Sequence, residues 1–194
     1  MKKIIFIIIA LVMTIPLQAQ AAVYEIDPAH TDFGFSVKHM VIAKVKGTFQ
    51  KFEGTLEIDD NNKLSSANAV ITTESIYTKI EKRDNHLRSP DFFDVDRYPN
   101  ITFTSTSITY AGPGKFTLKG NITIRDVTKE ITLTGETLGP IKDPWGQTRM
   151  GINATGTLNR KDFGLLWNKV LESGGLVVGD MVDLIIEGEG ILKK

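Results

Sequence analysis

The sequence predicts an all-β fold in which eight antiparallel strands close into a barrel, with one short helical segment. Apolar and polar residues alternate with a period of two along most of the chain, as they do in half-buried strands. About eight such stretches, rich in Thr, Ile, Val and Phe, are separated by turn residues. Glycine recurs on their apolar faces, where a packed sandwich core would carry bulkier side chains. These glycines are Gly47, Gly54, Gly120, Gly135, Gly156, Gly188 and Gly190.

The first residues of the chain have the pattern of a secretory signal. Lys2 and Lys3 precede an apolar run from Ile4 to Ile15, and Pro16 ends that run. Ala19-Gln20-Ala21 then has the small-x-small pattern of a signal-peptidase site. The apolar run is short for a membrane span, so we predict cleavage after Ala21, with a retained N-terminal anchor as the alternative.

The predicted mature chain, residues 22–194, has the length of one domain with its own core. The sequence contains no cysteine, which excludes disulfides, thiolate metal sites and a cysteine nucleophile. The 23 basic and 23 acidic residues balance, and loss of Lys2 and Lys3 takes the formal net charge from 0 to −2. A near-neutral domain argues against nucleic-acid binding, which needs a basic surface.

The strands follow one another from the predicted cleavage point to the C-terminus. Apolar residues occupy odd positions from Phe33 to Phe49 but even positions from Phe52 to Ile58. We therefore expect a bulge or a bend near Gln50-Lys51. The later stripes are Ala67–Ile71, Ile101–Phe103, Phe116–Ile124, Val127–Gly135, Met150–Leu158 and Val182–Leu192.

Three connections stand out between these strands. Arg125-Asp126 separates two long stripes and predicts a hairpin turn. Residues 76–99 interrupt the alternation and predict a short helix, for which Ser89 can cap the N-terminus and Pro90 fits the first turn. Residues 160–179 form a long connection before the last strand.

Large side chains on the apolar faces are the candidate ligand-binding residues of the barrel interior. A stripe does not distinguish a residue that lines a cavity from one that fills a core. The candidates are Phe33, Phe35, Phe49, Phe52, Phe103, Phe116, Ile122, Ile152 and Leu184. A second group of aromatic residues lies in connections, where they would cap or gate the barrel: Phe92, Phe93, Trp145, Phe163 and Trp167.

The polar residues offer few candidates for chemistry. The three histidines lack the spacing of a zinc site, so we expect no metal. Arg83 and Arg88 have two readings: they form a salt-bridged lock with nearby acidic residues, or they contact the phosphate of a ligand head group. Nucleophile-elbow, phosphate-loop and metalloprotease motifs are absent, so we expect neither a cofactor nor an enzyme.

The segment from Arg83 to Asp94, RDNHLRSPDFFD, resembles the YceI family of lipocalin-like proteins. The resemblance continues in Tyr98-Pro99 and in Asp162-Phe163-Gly164, and it extends over essentially the whole predicted mature chain. The first two strands and the Asp126-Val127-Thr128-Lys129 turn region are also similar to that family.

This resemblance implies an extended lipocalin-like barrel whose interior holds a polyisoprenoid or similar long-chain lipid. It also implies export to the periplasm and a homodimer. The expected function is periplasmic binding, transport or storage of such a lipid, with transient membrane contact during loading. The alternatives are an enzyme that acts on an isoprenoid-like substrate and a stress-related scaffold that works through its outer surface.

Overall fold

A computed structural model describes residues 21–172 and 174–194. The predicted signal peptide, residues 1–21, therefore lies outside the described residues except for Ala21. The described elements are strands β1 to β11 and one helix, α1. Their bounds are β1 Ala22–Ile26, β2 Asp32–His39, β3 Ala43–Phe49, β4 Phe52–Ile58, β5 Leu64–Thr72, β6 Ile76–Tyr77, α1 Glu81–Arg88, β7 Asn100–Tyr110, β8 Lys115–Ile124, β9 Val127–Lys142, β10 Thr148–Asn159 and β11 Val178–Leu192.

The sheet closes on itself as an eight-stranded antiparallel barrel, which confirms the predicted fold class. The ring runs β1-β4-β5-β7-β8-β9-β10-β11 and returns to β1. Strand β11 pairs with β2 along its first part and with β1 at its end, so β1 and β2 share one place in the wall. Strands β3 and β4 share the next place, because β3 pairs with β2 and β4 pairs with β1.

The predicted bend near Gln50-Lys51 is the break between β3 and β4. Phe49 and Phe52 flank it, and both pack toward the interior although their positions differ in parity. Because the two residues between them leave the strand, the alternation restarts with the opposite parity.

Arg125 and Asp126 form the predicted hairpin turn. Ile124 of β8 pairs directly with Val127 of β9, so the loop has two residues. Their φ angles of 49° and 59° both lie in the left-handed region, as a type I′ turn requires.

The predicted helix exists, but its predicted start at Ser89 was wrong. Helix α1 covers Glu81–Arg88, and the Ser89 hydroxyl donates to the carbonyl oxygen of His86 at 2.8 Å, where the helix ends. The chain is fixed in front of the helix, where the buried Asp84 carboxylate accepts hydrogen bonds from the Thr78 backbone N–H and hydroxyl. This tertiary contact is not visible in a local capping pattern.

The inward-facing glycines make room for aromatic rings of neighbouring strands. A Cβ on Gly120 would lie 2.2 Å from Cζ of Phe103, and one on Gly135 would lie 2.9 Å from Cζ of Phe116. Each ring thus lies across a glycine of the adjacent strand, and these two positions contribute no free space to the interior.

The two ends of the barrel differ. Ile58, Leu64 and Met150 are almost fully buried at the end where β5 and β10 begin, so packed side chains close that end. At the other end lie α1, the β2–β3 turn and residues 160–172 and 174–177. No helix among the described residues has the length and hydrophobicity that crossing a membrane requires.

Candidate functional site

An apolar cavity of about 210 Å³ lies inside the barrel. Its lining follows β8 from Phe116 to Ile124, which is roughly 26 Å of strand and, with a typical strand tilt, about 20 Å along the barrel axis. Among the lining residues only Thr31, Asn68 and Arg160 have polar side chains, and the Asn68 amide donates to Ser66. The shape and chemistry fit a long apolar chain better than a polar metabolite.

Most of the predicted ligand-binding residues line this cavity. Phe52 is the exception among the apolar candidates: its ring packs edge-to-face against Phe33, with ring centroids 4.8 Å apart, and is not part of the lining. Whether the lining residues contact a ligand remains a prediction. The predicted residues in the lining are Phe33, Phe35, Phe49, Phe103, Phe116, Ile122, Ile152 and Leu184.

Several lining residues were absent from the predicted set. Most are aliphatic residues of the same stripes, so the period-two pattern contained the signal, but the predicted set included only Ile122, Ile152 and Leu184 among the aliphatic residues. Leu87 lies in α1 and Leu165 in the connection after β10, where the strand pattern does not identify them. The aliphatic stripe residues include Ile71, Ile101, Leu118, Ile131, Leu133, Leu158 and Ile186.

Aromatic residues from two connections close the cavity at the α1 end. Phe92, Phe93 and Phe163 belong to the lining, and Phe92 and Phe163 are buried. Trp167 packs behind them, with its ring centroid 5.4 Å from that of Phe92. Trp145 does not belong to this group, because it is 82% exposed in the β9–β10 turn. The first four residues therefore cap the barrel, and Trp145 does not.

Arg83 and Arg88 lie outside the cavity lining and bind the chain that precedes α1. Arg83 donates from Nε to the Thr78 hydroxyl and from Nη2 to the Thr78 carbonyl oxygen, both at 2.7 Å. Arg88 donates to the carbonyl oxygens of Glu74 at 2.8 Å and Ile76 at 3.0 Å. Of the two readings of these arginines, the geometry favours the lock, although the bonds go to backbone carbonyls, the Thr78 hydroxyl and the Asn85 side-chain oxygen rather than to acidic side chains.

Arg160 is the one cationic side chain among the residues that line the cavity, and it was not a predicted site residue. It is 4% exposed, and burial lowers the pKa of its guanidinium, an effect that the Asp180 carboxylate opposes. Its Nε donates to the Gly179 carbonyl oxygen at 2.9 Å, and its Nη1 donates to those of Leu165 and Trp167. An arginine at the end of a strand carries no sequence signal that distinguishes it from an exposed one.

A second polar cluster lies away from the cavity, where Arg149 meets three carboxylates. Its Nη1 is 2.8 Å from Asp27 and 3.0 Å from Glu189, and its Nε is 2.8 Å from Asp143. Burial would raise the pKa of Asp27, but hydrogen bonds from Arg149 and His30 lower it to about 2.

Metal-ligating atoms of Asp27, His30 and Glu189 lie within 4.8 Å of one another in this cluster, a grouping that the sequence did not predict. Because the Arg149 guanidinium bonds both carboxylates, it already supplies the positive charge that a cation would bring.

Exposed apolar side chains project from two connections at the α1 end. The β2–β3 turn carries Met40, Val41 and Ile42, of which Ile42 is 87% exposed. The connection before β11 carries Leu166, Val170 and Leu176, and Val170 is 74% exposed. The two connections touch, because the Met40 N–H donates to the Val177 carbonyl oxygen at 2.9 Å. We call these residues, Met40, Val41, Ile42, Leu166, Val170 and Leu176, the apolar tip.

Comparison with known proteins identifies a family model and relatives that this chain matches over most of its length. The family model of the YceI-like domain matches residues 24–190. A UPF0312 protein of Vibrio vulnificus is 39% identical over 167 residues, which are 84% of this chain and 88% of that protein.

Two solved structures share the fold. A YceI protein of Campylobacter jejuni is 29% identical with a TM-score of 0.68, covering 81% of this chain and 90% of that one. A polyisoprenoid-binding domain from Saccharophagus degradans has a TM-score of 0.64 at 16% identity, covering 89% of this chain and 99% of that one.

Proposed function

The chain belongs to the YceI-like domain family, and on that premise we propose that its barrel binds and carries a long-chain polyisoprenoid or similar lipid. The observation that carries this proposal is the apolar cavity of about 210 Å³ with its aromatic and aliphatic lining. The Saccharophagus degradans domain, which has the same fold, is a polyisoprenoid-binding protein and supports the choice of ligand class.

The energetics fit a carrier that loads and unloads. Each methylene group that the barrel buries away from water contributes about 0.8 kcal/mol, so a lipid chain is far more stable inside the barrel than in water. The lipid's alternative is a membrane, which is equally apolar, so the net preference for the barrel is small. Exchange between the two then depends on contact with the bilayer, which avoids exposing the chain to water.

The apolar tip supports a transient membrane contact at the α1 end. Ile42 and Val170 extend into solvent there, and Lys44 and Lys169 are near them in the chain. Apolar side chains can enter the interfacial region of a bilayer while neighbouring lysines stay at the anionic headgroups. Because the aromatic cap lies at the same end, the lipid would enter beside the apolar tip.

Filling the cavity tests the lipid-binding proposal. Ala154 of β10 lines the cavity and Thr155 points outward from the same strand, so Ala154→Phe and Thr155→Phe form a matched pair. We expect Ala154→Phe to lower lipid uptake from vesicles by about tenfold, because the added ring occupies space that the chain needs. Thr155→Phe should leave uptake unchanged. Gly156 is a poorer site, since an added Cβ would lie 2.7 Å from the Thr132 carbonyl oxygen.

Native mass spectrometry of the purified protein, followed by organic extraction, provides the direct readout. A co-purifying species of long-chain mass is the expected result. Protein that carries no lipid and takes none from vesicles, or equal uptake by the Ala154→Phe and Thr155→Phe variants, would contradict the proposal. A lipid that is chemically altered while bound would instead favour an enzyme.

Two aspartate substitutions test the membrane contact. Ile42→Asp places a charge in the apolar tip, and Ile141→Asp places one at a residue that is 63% exposed at the opposite end of the barrel. We expect the first variant to transfer lipid from anionic vesicles about tenfold more slowly, whereas the second keeps the wild-type rate. Equal transfer rates would show that the tip is not the docking surface.

The cellular location and the oligomeric state are further parts of the proposal. We propose export to the periplasm with removal of residues 1–21, since β1 begins at Ala22, directly after the predicted cleavage point. N-terminal sequencing of the protein from a periplasmic fraction should give Ala22 as its first residue. A homodimer is the expected assembly, and light scattering of the mature protein measures it.

A further inference from the structure

Three large side chains of the cavity lining lie across a glycine of the neighbouring strand. In each pair the two residues are direct partners in the antiparallel register, so both face the interior. A Cβ added to the glycine would lie closer than 3.0 Å to the side chain of its partner. The pairs are Phe35 with Gly47, Phe116 with Gly135, and Leu133 with Gly156.

Phe35 and Gly47 show how such a pair affects the width of the cavity. A Cβ on Gly47 would lie 2.5 Å from Cζ of Phe35, the far end of the ring, so the ring extends sideways over β3. A side chain on the partner strand would occupy this place, and the ring would then stand toward the barrel axis. The glycine therefore adds no space of its own, but it keeps the ring out of the centre of the cavity.

Gly47 is the position where side chains, rather than the backbone, lie nearest. The three atoms nearest to its added Cβ are Cζ and Cε1 of Phe35, at 2.5 and 2.7 Å, and Cγ2 of Thr78, at 2.8 Å. At Gly135 and Gly156 a carbonyl oxygen of the adjacent strand is also closer than 3.0 Å. A substitution at Gly47 therefore displaces the Phe35 ring or the Thr78 methyl group before it strains the backbone.

From these pairs we infer that the glycines set the width of the cavity, and that this width selects a methyl-branched isoprenoid chain over a straight one. Each isoprene unit carries a methyl group beside the main chain, so an isoprenoid is wider than a straight hydrocarbon chain of the same length. A ring that pointed toward the axis would occupy the space that these methyl groups need, whereas a straight chain would pass beside it. The inference rests on the proposed lipid binding and adds the shape of the preferred chain.

Competition between two alcohols tests the inference. The purified protein is mixed with vesicles that contain equal amounts of geranylgeraniol and hexadecanol, whose main chains have the same length, and the ratio of the two alcohols extracted with the protein is measured. We expect Gly47→Ala to lower the ratio of geranylgeraniol to hexadecanol about tenfold, because the added Cβ turns the Phe35 ring toward the axis. The control is Gly34→Ala on the adjacent strand, where the added Cβ would lie 3.3 Å from its nearest atom, and the ratio should be unchanged.

A second substitution separates the width of the cavity from a general structural effect. In the double variant Gly47→Ala with Phe35→Leu, the ring that the new Cβ would displace is gone. We expect this variant to recover the wild-type ratio to within about twofold. A displaced Thr78 or a loss of stability would not be repaired by the change at Phe35.

A pair of variants that leaves Gly47 in place carries the test if Gly47→Ala does not fold. Val37, the next inward-facing residue of β2, lines the cavity and pairs with Val45 of β3. Val37→Phe should lower the ratio about tenfold, because its ring has a valine instead of a glycine opposite. Adding Val45→Gly provides the missing glycine and should restore the ratio to within about threefold of wild type.

The possible failures can be told apart. A wild-type ratio in folded Gly47→Ala, or a lowered ratio that Phe35→Leu does not restore, overturns the inference and leaves lipid binding standing. Equal ratios in Val37→Phe with and without Val45→Gly overturn it in the same way. If the wild-type protein takes up neither alcohol nor longer isoprenoids, the proposed function is refuted together with the inference.

Discussion

Removal of the Asp84 carboxylate should loosen the aromatic cap of the barrel. Asp84 and Thr78 are each 3% exposed, and Asp84 Oδ1 accepts from both the Thr78 N–H, at 2.9 Å, and the Thr78 hydroxyl. Arg83 Nε donates to the same hydroxyl at 2.7 Å. Because Phe92 and Phe93 follow α1 after only three residues, this network anchors the segment that carries the cap.

The magnitude follows from the bonds that Asp84→Ala removes. A hydrogen bond to a charged group contributes about 1.5–3 kcal/mol, and the substitution leaves the buried Thr78 N–H unsatisfied at a further cost of about 1–3 kcal/mol. Allowing for relaxation, we expect the free energy of unfolding to fall by about 3 kcal/mol. For a domain of this size that corresponds to a decrease in Tm of roughly 6–12 °C.

Urea denaturation and thermal unfolding measure the loss of stability. The rate of lipid transfer measures how firmly the aromatic cap closes the barrel. Asp91→Ala is the control, because Asp91 pairs with His86 at an exposed site and should contribute less than about 1 kcal/mol. The variant Asp84→Ala should also exchange lipid with vesicles faster than wild type at a temperature where both are folded. A loss of stability no larger than that of Asp91→Ala would refute the reasoning.

The remaining predictions concern pH and backbone packing. The folded-state pKa of Asp27 is lowered from 3.8 to about 2, so its contribution to stability is complete above pH 4 and is lost as the pH falls toward 2. The Tm of the wild-type protein should drop through that interval. The drop should be smaller in Arg149→Met, since Arg149 donates a hydrogen bond to Asp27. Parallel curves of Tm against pH for the two proteins would contradict the assignment of this pH dependence to Asp27. Gly135→Ala should cost about 1–3 kcal/mol in urea denaturation, because its Cβ would lie 2.1 Å from the Asn153 carbonyl oxygen. In Gly34→Ala the added Cβ would lie 3.3 Å from its nearest atom, so this variant should lose clearly less stability. Equal losses of stability in the two variants would show that the close approach at Gly135 is not the cause.

The period-two pattern was sufficient to predict most of the strands, although not the short β1 and β6, and local turn chemistry was sufficient for Arg125-Asp126. Both signals are local, because side-chain alternation follows from strand geometry and a type I′ turn from two positive φ angles. The start of α1 was not predictable in this way. It depends on the contact between Asp84 and Thr78, which a capping pattern at Ser89 does not include.

The residues of the candidate site also differ in whether a local pattern or tertiary packing decides their role. Aromatic stripe residues such as Phe35 and Phe116 line the cavity, as their side of the strand suggested. Phe52 has the same pattern and also faces the interior, but its ring packs against Phe33 and does not border the cavity. A stripe defines a face of the sheet, but only packing decides which residues of that face border empty space.

By itself, the sequence determined the all-β class, the positions of most strands and the resemblance to the YceI family, because all three depend on local patterns and motifs. Only the tertiary structure decided which groups the charged side chains contact. It placed Arg83 and Arg88 on backbone carbonyls and brought Arg149 between distant carboxylates. It also buried Arg160 among the residues that line the cavity. The reason is physical: the role of a charged side chain is set by the desolvation and the partners that it meets across the fold, and neither is encoded in its neighbours along the chain.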